Sequence, residues 1–532
     1  MARVDPSSAE LRPRMAELVG SEHVLNDPAS RDYYSRDLSY TPGARAALVV
    51  SPGSVEELRR VAATATAAAY ALVPRGGGMS YTRGYSPDSA RSIIIDTRRL
   101  DRIVEINAAD MYVTVECGCT WKSLYEALRE RNLRTPHYGP LSGMFATVGG
   151  ALSQNSLFLG SGDNGTAADS LLGLEIVLPD GTLLRTGSWA HRDGNPFFRH
   201  FGPDLSGIFT GDTGAFGIKA RATLRLLRRP AATLPMSFAF PTARDMLATQ
   251  IDLSPLQIAA ECYGFDPAYN AAFEDSGVSV RQGLATLGGV VRSGPSFARG
   301  LGNALRLARS GRSALQGVPY SVHMTFEGHT AVIAREKRQL AHAICRRHSG
   351  VEIANSLPTA LNAAPFNGLG SAIVGPDGEV WLPVHGFMPL SRVQAVGAAV
   401  ERFLVENRER MQDYRIHTSY LTCFAGTGFI IEPSFYWDDE VQQLRLDRLS
   451  HGKRARCAAR RAQPDTRAVA LDLRDQLRRL MDEHGCCHLQ IGRYYPYREM
   501  IGNEGLRDLL DRIKEDLDPE GLVNPGSLGL PG

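Results

Sequence analysis

Three glycines in a row, directly behind a strand, constrain this chain more than any other feature. They stand in Pro74-Arg75-Gly76-Gly77-Gly78-Met79-Ser80-Tyr81-Thr82. Ahead of them lies the pattern of a βαβ unit. Residues 46–50 are an apolar run suited to a strand. Ser54 and Glu57 have capping-box spacing, and Val55, Leu58, Val61 and Ala62 share one face of a helix running to Ala69. Residues 71–73 read as the next strand, with Pro74 as its stop. Glycine has no Cβ, so the amides of such a loop lie open to an anion. Arg75 adds charge, and Ser80 and Thr82 add hydroxyl donors, which together make the chemistry of a pyrophosphate cradle. The loop is not Gly-x-Gly-x-x-Gly, and no Lys-Ser/Thr follows it. Neither a Rossmann fingerprint nor a Walker loop is therefore present.

Further along, residues 92–96, 102–107 and 111–116 read as strands and 121–131 as an amphipathic helix. Residues 139–173 form a long run of small side chains with little periodicity, expected to wrap a flat ligand. Residues 174–178 and 183–186 flank Pro179-Asp180-Gly181 as a hairpin. A glycine-rich stretch, 201–217, leads into an alternating strand, 218–227. Past Pro230 the texture changes. Strands at 235–240, 258–263, 321–327 and 379–384 mix with helices at 331–348, 390–406, 468–484 and 506–517. That order predicts an antiparallel sheet covered by helices. The fold class expected is α+β. Its parts are an N-terminal segment (1–41), a cofactor domain (42–230), a cap domain (231–485) and a C-terminal return (486–532).

Composition narrows the function. A net charge of +2, from 59 basic and 57 acidic residues, argues against a partner such as nucleic acid. No apolar run reaches the ~18 residues of a membrane span, and residues 1–22 lack the apolar core of a secretory signal. The eight cysteines are scattered and include no Cys-x-x-Cys, so reduced thiols in a cytoplasmic protein are expected. The basic run 453–461 is read as a solvated face, or else as a surface that steers an anion.

Taken together, Arg75–Ser80, Ala146-Thr-Val-Gly-Gly150, the hairpin at 175–181 and Gly214-Ala-Phe-Gly-Ile218 resemble one family. It is the vanillyl-alcohol oxidase/p-cresol methylhydroxylase (PCMH-type) superfamily of FAD-linked oxidoreductases. The resemblance covers residues 46–227 and 518–526. It implies a two-lobed FAD domain, a substrate cap, and a chain end that returns to the FAD domain. It places the pyrophosphate on Arg75, Gly76, Gly77, Gly78, Met79 and Ser80. Further cofactor contacts would come from Pro140, Ser142, Ala146, Thr147, Gly149, Gly150, Asn155 and Ser156 in the second loop. Gly214, Gly217 and Ile218 in the third loop (the last two near the adenine) and Asn524 complete the set. Many relatives tether the flavin through a His in the first loop or a Cys in the second. Met79 and Ser80, and Met144 to Ala146, stand there instead, so FAD is expected to be held without a covalent bond.

Chemistry over the flavin needs a base and an anchor. The run His488-Leu-Gln-Ile-Gly-Arg493-Tyr494-Tyr495-Pro-Tyr-Arg498 concentrates both. His488, Arg493, Tyr495 and His417 are the catalytic candidates. Tyr420, Tyr436, Trp437, Tyr494 and Arg498 are the substrate-pocket candidates. His323 and His329 read as edge or surface histidines, and no metal is expected. The function expected is hydride removal from a hydroxyl-bearing carbon of a small 2-hydroxy acid or a para-substituted phenolic alcohol. The electrons would pass to O2 or another redox partner, with a homodimer as a further expectation. The alternative is a flavin-binding protein without such turnover.

Overall fold

The structure is a computed structural model that describes residues 8–41, 43–275, 318–366, 373–375 and 377–530. It divides into two compact units. The first comprises residues 1–156, 166–228 and 488–532, and the second residues 157–165 and 229–487. Residues 8–41, expected to stand apart, pack as part of the first unit, with Leu11, Met15 and Val19 in its core. Residues 157–165, expected in the cofactor domain, pack with the second unit instead. There Gly162 N donates to Ala260 O at 3.0 Å, and the Phe158 ring lies 5.4 Å from that of Tyr263.

The first unit holds two sheets. In the smaller, Leu48–Val50, Ser92–Asp96 and Ala71–Arg75 run parallel in that spatial order. Their residues are buried on both faces, as a parallel sheet requires. The helix Val55–Ala67 covers one face with Leu58, Val61, Ala62 and Ala65. Ser54 Oγ accepts from Glu57 N at 3.1 Å. Glu57 reaches back not to Ser54 but one residue further, to Gly53 N at 2.7 Å. Pro74 does not stop its strand. Ala71–Arg75 lies at the sheet edge, where a residue without an N–H breaks no ladder. That edge is partly closed by the chain's last residues, since Leu72 N donates to Leu522 O and Asn524 N to Leu72 O.

The larger sheet of this unit is antiparallel. Its order is Ile103–Asn107, Tyr112–Glu116, Ile218–Arg225, Leu171–Val177, Leu183–Arg185. The stretch 139–173 is not the structureless loop the sequence suggests. It contains the helix Val148–Gln154, capped by Thr147 Oγ1 on Gly150 N at 3.2 Å, and two shorter helical turns. The Gly149-Gly150 pair hides this helix from a periodicity search. Gly149 is there for packing, because a Cβ would lie 2.7 Å from that of Cys117.

The second unit is built on one antiparallel sheet. Its main order is Val351–Ile353, Ala232–Phe240, Tyr320–Gly328, Glu261–Phe265, His417–Ala425, Gly428–Trp437, Val380–Pro383. Ala243–Leu253, Ala331–Arg347, Val393–Glu406 and Pro464–Glu483 are its longer helices. The strand expected at 258–263 begins later, at Glu261, because a 3₁₀ turn ends on left-handed Gln257. His323 is not an edge histidine. It sits fully buried on a central strand, with Nδ1 2.9 Å from Ser237 Oγ and Nε2 2.9 Å from Ser321 Oγ. Burial holds its imidazole down at about 3, so it is a neutral core group. His329 is exposed. The basic run is mostly a helix, His451–Ala458, with Arg454 paired to Asp447 and Arg460 to Asp438. Among the described residues, no helix is long and apolar enough to cross a membrane.

Candidate FAD site

A cavity within the first unit gathers the three loops. From the first loop, Arg75, Gly76, Gly77, Gly78, Met79 and Ser80 line it. Pro140, Ser142, Ala146, Thr147, Gly149, Gly150 and Ser156 line it from the second, and Ile218 from the third. The glycines do a different job from the one the sequence suggests. A Cβ on Gly76 would lie 2.3 Å from Thr147 Oγ1, and one on Gly77 1.8 Å from Phe145 O. Those two positions are glycine because the second loop presses on the first. Only Gly78, with φ +74°, needs glycine for its backbone.

Ser80 is also not a free donor. Its Oγ donates to Asp37 at 3.3 Å and accepts from Gly84 N at 3.2 Å. It shapes the turn that the loop makes. The charge for an anion comes from Arg75. This guanidinium is 1% exposed, and none of its three nitrogens has a hydrogen-bond partner. It rests among the rings of Tyr34, Tyr85 and Tyr33, at 4.6, 5.1 and 5.7 Å from its Cζ. A buried charge of this kind costs several kcal/mol unless an acceptor completes it. Gln154 Oε1 and Ser156 Oγ line the same cavity and are likewise buried without a partner. A diphosphate beside Arg75 would supply acceptors for its N–H groups, the Ser156 hydroxyl could donate to the same ligand, and a donor on the ligand beyond the phosphates would meet Gln154 Oε1. The residues present therefore fit FAD.

Four expected cofactor residues stand behind the cavity wall, not in it. Asn524 Nδ2 donates to Gly84 O at 2.9 Å and Thr213 O at 2.6 Å, which ties the first loop to the third. Gly214 and Gly217 are packing glycines. A Cβ at Gly214 would lie 2.8 Å from Pro74 Cγ, and one at Gly217 2.4 Å from Ile176 Cγ2. Asn155 ends the helix Val148–Gln154 in left-handed geometry, and its Oδ1 accepts from Ala168 N.

Lys219, Cys117 and Gln490 are among the lining residues that the sequence did not mark. Lys219 is buried, with Nζ 2.6 Å from the equally buried Asp212. Cys117 lines the cavity as a neutral thiol, pushed up to about 12 by burial. Gln490 is the single lining residue from the aromatic-basic run. The neighbouring residues of that run lie on the cofactor loops. Gly492 N donates to Thr213 Oγ1 at 3.2 Å, and Arg493 N to Thr82 O at 2.9 Å.

The other candidates in this run divide by role. His488 stacks on Tyr495 with ring centroids 3.8 Å apart, and Tyr494 meets Tyr495 edge-on at 4.9 Å. Arg493 is not the free anchor the sequence suggested. Its guanidinium donates to Asp88, Arg83 O, Asn524 Oδ1 and Pro525 O, so it fastens the chain's end to the first loop. Arg498 is paired with Asp511.

His417, Tyr420, Tyr436 and Trp437 belong to the second unit, on two paired strands. His417 lies flat on Tyr436 at 4.9 Å, at the exposed start of its strand. Ser419 Oγ donates to Tyr436 Oη at 3.1 Å. Tyr420 donates to Glu401 Oε1 at 3.1 Å. Trp437 is a core residue, fully buried, with Nε1 on Asp439 at 2.9 Å.

The crossed loops, the uncompensated arginine and the returning chain end define a dinucleotide site of the FAD class. Residues 46–187 match the FAD binding domain family. Over those residues the chain carries an FAD binding domain, and its fold is similar to that of p-cresol methylhydroxylase. It is 26% identical over 221 residues to glycolate oxidase subunit GlcD of Bacillus subtilis, covering 42% of this chain and 45% of that one. It is 28% identical over 259 residues to D-2-hydroxyglutarate dehydrogenase of Xanthomonas citri pv. viticola, covering 48% and 52%. The chain thus spans about half the length of the curated relatives it matches. In fold, p-cresol methylhydroxylase with substrate bound is similar over 98% of this chain and 97% of its own. The TM-score is 0.73 and the identity 15%, so the likeness is one of architecture.

Proposed function

We propose that the chain is an FAD-dependent oxidoreductase that oxidises a hydroxyl-bearing carbon of a small 2-hydroxy acid. The observation that carries the cofactor is the buried, uncompensated Arg75 at the crossing of the glycine loops. The substrate class follows the relatives, named for glycolate and D-2-hydroxyglutarate. When bound, FAD supplies a hydride acceptor. The protein's own part is to orient the substrate and take the hydroxyl proton. The His488 imidazole, held flat against Tyr495, is the base in this reading. Arg493 is committed to backbone and Asp88, so the substrate carboxylate is held by another cation. The FAD is non-covalent, the protein is cytoplasmic, and a separate acceptor or O2 takes the electrons.

The test is anaerobic mixing with glycolate, D-lactate, D-2-hydroxyglutarate and a 4-alkylphenol, following the visible flavin band. Bleaching by a hydroxy acid supports the reading, and bleaching by the phenol alone replaces the substrate class. No bleaching by any of them leaves a flavin binder without this turnover. Acid precipitation of the same sample should leave the yellow colour in the supernatant.

A further inference from the structure

Residues 33–38 precede the segment that matches the FAD family, yet they grip the glycine loop at both ends. The helix Pro28–Ser35 is capped by Asp27, whose side chain accepts from Ser30 N at 2.9 Å. It brings the Tyr34 ring to 4.6 Å from the Arg75 guanidinium. That ring is fixed. Its hydroxyl accepts from Arg98 at 2.5 Å, and Arg98 is itself held by Asp96 at 2.7 Å. Just beyond the helix, buried Asp37 takes the other end of the loop. Its Oδ2 accepts from Arg83 N at 2.5 Å and from Ser80 Oγ at 3.3 Å, and Leu38 N donates to Ser80 O at 2.9 Å.

The choice of a ring at Arg75 has a chemical reason. A carboxylate there would neutralise the guanidinium and compete with the ligand's phosphates. A π face orients the cation and leaves its N–H donors free. We propose that residues 33–38 form a clasp that holds the phosphate-binding loop open for the cofactor, with Tyr34 and Asp37 as positioning residues. This rests on the reading of the cavity as an FAD site.

The test uses full-length protein stripped of flavin and titrated with FAD by flavin fluorescence. Tyr34→Met keeps the bulk and removes the ring, and should weaken FAD about tenfold. Tyr34→Phe keeps the ring and should stay within about threefold of wild type. Inorganic pyrophosphate, used as a competitor, should lose the same factor with Tyr34→Met, while adenosine should lose none. The stripped Tyr34→Met protein should unfold at a slightly lower temperature, having lost one ring contact to Arg75, and the stripped Tyr34→Phe protein should shift less. Asp37→Ala should weaken FAD and pyrophosphate together, which keeps the idea testable if Tyr34→Met unfolds. Equal FAD affinity in wild type, Tyr34→Met and Asp37→Ala would overturn the clasp. Failure of the wild type to bind FAD at all would instead overturn the cofactor reading beneath it.

Discussion

Replacing Arg75 by Met should move two properties in opposite directions. In the cofactor-free protein the guanidinium is 1% exposed and has no hydrogen-bond acceptor. Its desolvation costs several kcal/mol. The three neighbouring rings return about 0.5–2 kcal/mol each. A methionine of similar reach carries neither term, so the stripped protein should unfold with the same free energy or ~1–3 kcal/mol more. Binding should suffer. Two charge-assisted bonds from Arg75 to a diphosphate, at ~1.5–3 kcal/mol each, come to about 3–6 kcal/mol. That is a loss of about 10²–10⁴ in FAD affinity. Urea unfolding of the stripped protein gives the first quantity, and titration with FAD gives the second. A stripped Arg75→Met protein that is destabilised by more than ~2 kcal/mol while binding FAD normally refutes the argument. Arg75 would then be a structural cation, not a ligand.

Two further changes probe buried groups around and beyond the cavity. Lys219→Met strips buried Asp212 of its cation and should cost about 3–5 kcal/mol, with most of it recovered in the double variant Lys219→Met/Asp212→Asn. Urea unfolding of both decides, and a single variant no worse than the double rejects the pairing. His323 is held at about 3 in the fold against 6.5 in an exposed chain. The unfolded state therefore takes the proton first, and stability should fall from pH 6.5 down to about 3, at up to ~1.4 kcal/mol per pH unit. His137, also held at about 3, adds to the same limb. His323→Asn should flatten that limb by one proton between pH 4 and 6, and an unchanged slope would show that His323 is not buried as described.

How much of this was legible in the sequence depended on whether the signal was local. Three glycines behind a strand are by themselves more often a plain turn, and the loop was visible only together with the two later glycine-rich loops, although the reason for two of its glycines (contact with Phe145 and Thr147) is tertiary. Lys219 was invisible. In an alternating strand a lysine reads as solvent-facing, and only the fold brings Asp212 to it. Arg493 misled for the converse reason. A guanidinium among tyrosines looks like a ligand site, but its acceptors are the carbonyls of residues 83 and 525, which leave no mark in a sequence, and the side chains of Asp88 and Asn524, which only the fold brings to it. Tyr33 and Tyr34 sit in a polar helix whose pattern says nothing about an arginine forty residues on.

The bond from Asn524 to Gly84 joins residues 440 positions apart. Its consequence is one of timing. The first and third cofactor loops are tied by a side chain that leaves the ribosome long after both. At about 5–20 residues per second, that wait is about 20–90 s after Gly84 and about 15–60 s after Thr213. Through it, the glycine loop exists without its last tether, and Arg75 has neither phosphate nor a finished cradle. The second unit is made entirely within the same interval. A growing chain of this kind is most exposed to misassembly and proteolysis at its cofactor loops, and the segment around Arg493 and Asn524 works as a late latch.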